Sequence, residues 1–337
     1  MNIQKNISLK EYNTFGIDKK AELFIQVSSA QEVVHALNEA RNLDLPVFVL
    51  GGGSNILLTQ NIEALVIQIN IKGYKLLKED QNHVWVQVGA GEVWHDFVLK
   101  AIASNWAGVE NLSLIPGTVG ASPMQNIGAY GVEIKEVFDS LEAINIQTLE
   151  KEIFDYSQCE FGYRESVFKH KAKGQYIITQ VVFRLNKKPS FNIGYGAIKD
   201  TLREMGITTL SLEAISKAII HIRQSKLPNP KVVGNAGSFF KNPTLPKTGY
   251  QELQKVYPDI PGYVNENGIK VPAAWFLEQA GWKGKTFGKV GVHKNHPLVL
   301  VNYGNGEGSA IKELSIQIQK DIEEKFGIFL QPEVNLI

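Results

Sequence analysis

The sequence predicts an α+β protein built from two or three domains. Three observations lead to this prediction. The chain has 337 residues, strand and helix patterns alternate along most of it, and a proline-rich segment interrupts the alternation at residues 226–230. A chain of this length buries a large core and usually divides into domains. Because proline ends helices and holds the preceding residue extended, we expect a domain boundary at this segment.

The first 70 residues alternate between strand and helix signals. Strands are predicted at residues 21–27, 46–50 and 65–69, where short runs of mainly apolar residues are bounded by polar or turn-forming ones. Ser28 and Ser29 offer an N-cap for a helix between the first two strands, in which apolar residues recur at helical spacing.

The loop at residues 51–55, Gly-Gly-Gly-Ser-Asn, is a candidate phosphate-binding loop. A dinucleotide-binding fingerprint would need a third small residue where this chain has Ile56, and a helix directly after the loop. Neither is present, so that fold is disfavoured, although the loop can still contact a pyrophosphate. A near-match at residues 304–309 also lacks the final glycine and is interpreted as a capped turn.

Residues 115–131, called the platform loop below, are the stretch around which we expect the chain to be organised. Glycines and the small Ala121 and Ser122 let backbone lie against a large ligand, and Pro116 and Pro123 stiffen the run. Consecutive amide groups in such a run can bind phosphate. A plain surface loop is the alternative, but the length and the interleaved apolar residues favour ligand contact.

Mixed strand and helix patterns continue on both sides of the platform loop. Strands are predicted at residues 84–88, 140–146 and 176–185, and a helix whose apolar face begins at Val93 precedes the loop. Residues 160–166 are typical of a loop.

The last third predicts an exposed excursion, one long helix and a small α+β unit. The excursion is expected at Gly194-Tyr195-Gly196, and the helix aligns Ile215, Ile219 and Ile222 on one face. The α+β unit has predicted strands at residues 238–241, 298–302 and 329–334 and predicted helices at residues 273–280 and 309–326.

Composition excludes several classes of protein. A formal net charge of +1 gives no general reason to expect a nucleic acid or an acidic membrane as partner. The single cysteine, Cys159, rules out an intrachain disulfide and a cysteine-based metal site. The N-terminal residues lack the apolar core of a signal peptide, and no run approaches a membrane span. We therefore expect a soluble, cytoplasmic protein.

Ser238 leaves a glycine-rich turn and enters a predicted strand with two phenylalanines. A hydrolase nucleophile elbow would need glycine where Phe240 stands, so a nucleophilic serine is not expected. Local capping is the default for a serine at a turn. Its use as a proton donor is the functional alternative.

Other chemically capable side chains are ambiguous on local sequence alone. Arg164 lies between an aromatic and an acidic residue, which suits either a surface ion pair or a bidentate clamp on carboxylate or phosphate. Glu333, taken alone, is interpreted as a solvent-facing residue of the predicted C-terminal strand. His293 and His296 lie in a turn without an acidic or cysteine partner nearby, so a metal site is not expected.

Seven motifs occur in order along nearly the whole chain, at residues 13–16, 51–55, 89–92, 115–131, 161–166, 234–243 and 332–334. Each is weak alone, whereas all seven in this order are highly specific. Together they resemble the UDP-N-acetylenolpyruvoylglucosamine reductases, flavoenzymes of peptidoglycan precursor synthesis.

The resemblance implies an α+β FAD-binding fold of the vanillyl-alcohol-oxidase (PCMH) type with two subdomains, followed by a smaller α+β substrate domain. The implied parts are residues 1–70 and 71–225 for the two subdomains, 226–328 for the substrate domain and 329–337 for a C-terminal strand returning to the active site. The implied FAD contacts are Gly51, Gly52, Gly53, Ser54, Asn55, Pro116, Gly117, Val119, Gly120, Ala121, Ser122, Gly128 and Ala129.

By motif position, Arg164, Ser238 and Glu333 fall on the catalytic positions of the family. The implied substrate contacts are Tyr163, Tyr195, Lys226, Asn242, Tyr263 and His296. His296 is a departure, since the family pattern has glutamine there. The Tyr195 excursion resembles the subclass in which a tyrosine loop folds over the substrate, and no metal is implied.

The resemblance also implies a reaction. NADPH would reduce FAD, the flavin N5 would transfer hydride to C3 of the enolpyruvyl group, and Ser238 would protonate C2 to give UDP-N-acetylmuramate. Arg164 would stabilise the enolate together with Glu333, if burial keeps the latter protonated. NADPH and the UDP-sugar are the expected partners of a monomeric enzyme, with neither nucleic acid nor membrane.

Two other functions stay open on sequence grounds. The same FAD fold could serve an oxidase or dehydrogenase of another small alcohol, which would consume oxygen with that alcohol. A nucleotide-sugar binding module without catalysis would be colourless when purified. The order of Ser238 and Glu333 in the matching motifs argues against the first alternative.

Overall fold

The structure is a computed structural model that describes residues 2–195 and 197–337. Gly196, part of the predicted excursion, and Met1 lie outside the described residues. The strands within the described residues are β1 (Gln4–Ser8), β2 (Lys20–Val27), β3 (Val47–Leu50), β4 (Ile56–Leu57), β5 (Ile62–Ile69), β6 (Tyr74–Glu79), β7 (His83–Gly89), β8 (Gly128–Ala129), β9 (Val132–Glu133), β10 (Phe138–Asn145), β11 (Lys151–Asp155), β12 (Tyr176–Asn186), β13 (Thr244–Leu245), β14 (Tyr263–Asn265), β15 (Gly268–Lys270), β16 (Thr286–Phe287), β17 (Val290–Val292), β18 (Leu300–Asn302) and β19 (Asn335–Leu336).

The α-helices of the same residues are α1 (Ala30–Asn42), α2 (Trp94–Ala103), α3 (Ile198–Glu204), α4 (Leu212–Lys226), α5 (Lys247–Val256), α6 (Ala273–Gln279) and α7 (Gly308–Phe326). Within the part of the chain that the structure describes, no helix combines the length and apolarity that a bilayer crossing requires.

The chain forms two compact units, each assembled from separated segments. The first unit comprises residues 1–7, 21–52 and 62–225, and the second comprises residues 8–20, 53–61 and 226–337. The two short segments of the second unit lie within the part that the sequence assigns to FAD-binding subdomain 1. The predicted four-part division of the chain stays a prediction.

The first unit contains a four-stranded sheet with the order β1-β2-β5-β3, in which β2 and β3 run parallel to β5. Helix α1 buries Val33, Leu37 and Ala40 in the core beside this sheet. The side chain of Ser29 accepts a hydrogen bond from the Glu32 amide, which confirms the predicted N-cap.

A five-stranded antiparallel sheet with the order β11-β10-β12-β7-β6 completes the core of the first unit. Helix α2 packs Trp94 and Phe97 against Phe183 of β12, with ring centroids 4.7–5.8 Å apart. Val93 is the N-cap of α2 and is exposed, so the predicted helix face begins one residue later than expected. Helices α3 and α4 bury a separate cluster that includes Ile198, Ile215 and Ile219.

The second unit has short strands and three helices. Strands β13, β15 and β14 form one sheet, β16, β17 and β18 form another, and β19 pairs in parallel with β4. Helix α7 buries Ile311, Leu314, Ile318 and Ile322, as its sequence spacing predicts. It ends at Gly327, whose φ of 68° is a left-handed C-cap conformation.

Two strand predictions in the second unit are wrong in extent. Residues 238–241 form isolated bridges through Ser238 and Phe240 rather than a continuous strand. In the predicted strand at residues 329–334, only Pro332 makes a bridge, and the regular strand β19 begins at residue 335.

Candidate active site

Two glycine turns of the first unit lie in close backbone contact. A methyl group on Gly51 would lie 2.9 Å from the Thr118 hydroxyl oxygen, and one on Gly52 would lie 3.1 Å from Gly117 Cα. Gly117 itself has a φ of 112°, which disfavours any other residue. Glycine is therefore favoured where residues 51 and 52 meet the platform loop.

The backbone amides at this contact are available to a ligand. The described residues offer no hydrogen-bond acceptor to the N–H groups of Gly51, Gly52, Gly117 or Thr118. Paired turns that present amide donors in this way suit an anionic group such as a diphosphate. The turns of the first unit thus have the donor chemistry that a phosphate-containing cofactor needs.

The amides directly after Thr118 in the platform loop are bonded to other backbone carbonyls, which limits the run of consecutive available donors to Gly117 and Thr118. The amides of Val119 and Gly120 donate to the carbonyls of Glu92 and Ala90 at 2.9 and 2.8 Å. The Ser122 hydroxyl donates to the Val119 carbonyl at 2.7 Å, and the Val119 side chain is buried in the core. These positions build the loop by their packing and internal bonds.

Arg164 is attached to the platform loop within the first unit. Its Nη2 donates to the Gly128 carbonyl at 2.7 Å, and its guanidinium lies 5.7 Å from the centroid of the Tyr163 ring. Arg164 has a φ of 56°, a conformation that costs a non-glycine residue free energy and recurs at functional sites. The structure therefore places the Arg164 guanidinium beside Gly128 and near the Tyr163 ring.

Asn126 and Ser166, which the sequence analysis did not select, fix this arrangement. Buried Asn126 donates through Nδ2 to the Gly162 carbonyl at 3.0 Å and has a φ of 43°. The Ser166 hydroxyl donates to the Met124 carbonyl at 2.7 Å. Together they tie the loop that carries Arg164 to the platform loop.

Tyr195 contacts the end of the platform loop. Its ring meets the Tyr130 ring edge to face, with centroids 6.0 Å apart, and 57% of the residue is exposed. Asn192 supports this segment by donating to the Gly131 carbonyl at 3.0 Å. An exposed tyrosine with one aromatic contact can change position at little cost in packing.

Arg223 of α4 is a further residue that the sequence analysis missed. The described residues offer no hydrogen-bond partner to its buried Nε. Burial lowers the pKa of its guanidinium, and Tyr130 and Arg164 lie close enough to influence it. In the sequence, the one indication that Arg223 is buried is its position directly after Ile222, beside the apolar face of α4.

In the second unit, the predicted motif at residues 13–16 joins two glycine positions. The Thr14 amide donates to the Gly53 carbonyl at 3.1 Å, and the Thr14 carbonyl accepts from the Asn235 amide at 3.0 Å. A side chain on Gly53 would overlap the Tyr12 carbonyl oxygen, and Gly53 has a φ of 59°. The end of the glycine loop is thereby fixed to the segment that leads to Ser238.

The second unit brings Ser238 and Glu333 onto neighbouring segments. The Glu333 amide donates to the Phe239 carbonyl at 2.8 Å, and the Phe239 amide donates to the Leu298 carbonyl at 2.7 Å. Ser238 and Glu333 are each half-buried. The described residues offer no hydrogen-bond partner to the Ser238 hydroxyl, so local capping does not account for this serine.

His296 lies in a polar, half-buried position near Lys226. Its Nδ1 accepts from the Leu298 amide at 3.3 Å, so the proton of the neutral ring is on Nε2. Burial, followed by the charge of Lys226, lowers the pKa of His296 to about 4. The residue is therefore a neutral hydrogen-bond donor near pH 7, as a glutamine amide would be.

We predict that His296→Gln flattens the pH dependence of stability. The folded-state pKa of about 4 lies below the ordinary value of 6.5. As the pH falls, His296 is therefore protonated in the unfolded protein before it is protonated in the folded protein. Stability is full above pH 6.5 and is lost as the pH falls towards 4, by at most about 3 kcal/mol. The free energy of urea unfolding between pH 4.5 and 7 measures the difference. The exposed His35→Gln serves as control, and identical slopes for the two variants would contradict the prediction.

Asn242 and Tyr263 have different surroundings. The Asn242 side-chain oxygen accepts from the Ala273 amide at 2.9 Å, at the start of α6. Tyr263 lies on β14 and is 60% exposed.

Across residues 2–195 and 197–337, no group of three histidine, cysteine or acidic side chains could hold a metal ion.

Two sequence families match the chain. Residues 21–148 match the family described as FAD binding domain. Residues 229–337 match the C-terminal domain of UDP-N-acetylenolpyruvoylglucosamine reductase.

Full-length relatives carry the same reductase name. The UDP-N-acetylenolpyruvoylglucosamine reductases of Flavobacterium johnsoniae and Amoebophilus asiaticus are 53% and 51% identical to the chain and cover 100% of both sequences. The Pseudomonas putida reductase is 48% identical, over 99% of this chain and 98% of its own.

Solved structures share the fold. The UDP-N-acetylenolpyruvylglucosamine reductase of Thermus caldophilus superposes with a TM-score of 0.71 at 22% identity, covering 100% of this chain and 99% of that one. The 6-hydroxy-D-nicotine oxidase of Arthrobacter nicotinovorans gives 0.51 at 10% identity, over 99% and 88%. Together with the family matches, these similarities confirm the predicted α+β fold with an FAD-binding part.

Proposed function

Because this chain belongs to the UDP-N-acetylenolpyruvoylglucosamine reductase family, we infer that it reduces the enolpyruvyl group of UDP-N-acetylenolpyruvoylglucosamine, with FAD as cofactor, in peptidoglycan precursor synthesis. One structural observation supports the catalytic roles most directly. The 2.8 Å bond from the Glu333 amide to the Phe239 carbonyl sets the Ser238 and Glu333 segments side by side. The product is UDP-N-acetylmuramate.

The first unit supplies groups that fit FAD. The amides of Gly51, Gly52, Gly117 and Thr118 are the donors for the diphosphate, and the glycines leave room for its close approach. Bound FAD supplies the hydride that the enolpyruvyl double bond accepts. NADPH is the proposed source of the electrons.

Arg164 and Glu333 stabilise the charge that the reduction creates. Adding hydride to C3 shifts electron density from the double bond towards the carboxylate, so an enolate develops there. Donors that are already in place lower the free energy of this charge most effectively. Gly128 fixes the direction of the Arg164 guanidinium through the 2.7 Å bond to Nη2. Glu333 is the proposed second donor.

Ser238 is the proposed proton donor to C2. A hydroxyl is a weak acid, but the enolate carbon is a much stronger base, so the transfer is downhill. The hydroxyl has no hydrogen-bond partner among the described residues, which leaves it available to the substrate. Because the proton arrives from one side, the serine also sets the configuration at C2.

The second unit also supplies contacts for the nucleotide part of the substrate. Lys226 offers a point charge to the diphosphate, and the Nε2 proton of neutral His296 offers a hydrogen bond beside it. Tyr263 and Asn242 are the remaining proposed contacts. We propose that the enzyme works in the cytoplasm, as a monomer without a membrane or nucleic-acid partner.

The function is tested by NADPH oxidation in the presence and absence of the enolpyruvyl UDP-sugar. Oxidation should depend on that substrate, and the purified protein should be yellow. Fast oxygen consumption with a small alcohol would instead support an oxidase. A colourless protein that binds the sugar nucleotide without turnover would support a binding module.

Tyr195 is the proposed substrate-covering tyrosine of the tyrosine-loop subclass. We expect Tyr195→Ala to raise KM by roughly three- to tenfold, which is the loss of about one neutral hydrogen bond. The exposed ring and its single aromatic contact with Tyr130 make a large folding defect unexpected. Tyr195→Phe separates the hydroxyl from the ring in the same steady-state assay. An unchanged KM in both variants would reject the role.

A further inference from the structure

The segment that carries Glu333 is bonded to the segment directly after the glycine loop, within the second unit. Strand β19 pairs in parallel with β4, with Asn335 opposite Ile56 and Leu336 opposite Leu57. Farther along, the Ile337 carbonyl accepts from the amide and the hydroxyl of Thr59 at 2.8 and 2.7 Å. The two segments are therefore joined over several consecutive residues.

Asn55 contacts both Glu333 and the residue two positions after it. Its side-chain Nδ2 donates to the Glu333 carbonyl at 3.2 Å. Its backbone carbonyl accepts from the Asn335 amide at 3.1 Å and from the Asn335 side chain at 2.9 Å. One residue thus holds the chain at Glu333 and again two residues later.

The peptide groups on both sides of Glu333 are consequently fixed. Its amide is held by the Phe239 carbonyl and its own carbonyl by Asn55, while the next side chain, Val334, is buried. With these anchors, the carboxyl group has only its side-chain torsions left to set its direction. A catalytic donor displaced by about 1 Å can lose about a hundredfold in rate.

We propose that Asn55 is a positioning residue for Glu333, in addition to lying in the loop that the sequence assigns to FAD. The proposal rests on the proposed function, because it takes Glu333 to be a donor to the substrate carboxylate. It makes the oxidative half-reaction, in which the enolpyruvyl group is reduced, depend on an amide side chain that belongs to the glycine loop.

A cofactor role and a positioning role for Asn55 predict different defects. If Asn55 mainly held FAD, its removal would lower FAD content and slow flavin reduction by NADPH. If it mainly positions Glu333, FAD content and flavin reduction persist and only the oxidative half-reaction slows. The contacts of Asn55 with Glu333 and Asn335 favour the second pattern.

The experiment is a double-mutant cycle between Asn55→Ala and Glu333→Ala, which removes the donor group, with each half-reaction followed separately by stopped flow. We expect Asn55→Ala to slow the oxidative half-reaction by roughly tenfold to a hundredfold and to change flavin reduction by less than about twofold. In the Glu333→Ala background, adding Asn55→Ala should change the oxidative rate by less than about twofold, because residues that act through one another are not additive.

Asn61→Ala is the matched control. The Asn61 side chain likewise bonds to the backbone of a distant residue, accepting from the Lys20 amide at 2.9 Å, and its substitution should leave both half-reactions unchanged. Asn335→Ala is a milder second variant for the case in which Asn55→Ala folds poorly. It should slow the oxidative half-reaction in the same direction, and again only when Glu333 is present.

Equal slowing by Asn55→Ala in both Glu333 backgrounds would overturn the proposal, as would loss of FAD or slow flavin reduction. These results leave the proposed function intact if the unsubstituted enzyme oxidises NADPH with the enolpyruvyl UDP-sugar. If the unsubstituted enzyme shows no such turnover, the proposed function fails, and the role of Asn55 fails with it.

Discussion

Replacing Ser238 with alanine is expected to slow product formation by about 10²–10⁴-fold, the usual contribution of a positioned general acid. Flavin reduction by NADPH should continue at nearly its normal rate, because the serine acts only after hydride reaches the substrate. The substitution removes one oxygen that has no hydrogen-bond partner among the described residues. The fold should therefore tolerate it.

The measurement follows the two half-reactions separately, with FAD content and the urea unfolding midpoint as checks on the fold. Solvent deuterium would report proton transfer to C2 in the unsubstituted enzyme. Ser238→Cys, which keeps a group able to donate a proton, should retain more activity than the alanine variant. If both half-reactions slow equally, Ser238 is a structural residue and the proposed mechanism is wrong at this step.

Arg164→Lys should lower kcat by about 10²–10³-fold, as the loss of one preorganised donor does at other anion-stabilising sites. Lysine keeps the positive charge, but it lacks the planar fork that can bind a carboxylate at two points. It also cannot keep the 2.7 Å bond to the Gly128 carbonyl while presenting further donors in fixed directions. The loss should fall on the oxidative half-reaction.

Arg184→Lys is a suitable control for the arginine substitution, because Arg184 is an exposed residue of β12. Its kinetics should match those of the unsubstituted enzyme. Both variants should be compared at equal FAD occupancy. A change of less than about threefold for Arg164→Lys would mean that a single charge suffices and that the proposed clamp geometry is not used.

The fold was predictable where the signal is local. Helix α1 follows from a serine cap and the spacing of Val33, Leu37 and Ala40, and all of these residues behave as expected. The long strand β12 likewise follows from a mainly apolar run of β-branched and aromatic residues. Such patterns depend on neighbours within a turn or two of the chain, so the sequence contains them directly.

Elements that depend on distant partners were missed or misplaced. Helix α5 buries no residue, and β14 and β15 are only three residues each, too short to show a strand period. The bridges at Ser238 and Phe240 exist because Val299 and Pro332 lie opposite them. No local pattern specifies such pairings.

The candidate site likewise has residues that the sequence could identify and contacts that it could not. The seven motifs selected Arg164, Ser238 and Glu333, and their order along the chain was sufficient for that. Which amides of the platform loop stay available could not be predicted, because Glu92 and Ala90 take the amides of Val119 and Gly120. The contact of Asn55 with Glu333 joins residues 278 positions apart and was equally invisible.

The interleaved make-up of the second unit constrains how the protein can be synthesised and dissected. Strand β19 needs β4, and the segment before Ser238 needs Thr14, so this unit cannot be completed until β19 has left the ribosome. Contacts between such distant residues slow folding. A fragment that begins at residue 226 would lack residues 8–20 and 53–61, which belong to the same unit. A chimera that exchanges this unit between relatives would therefore have to include those two segments as well.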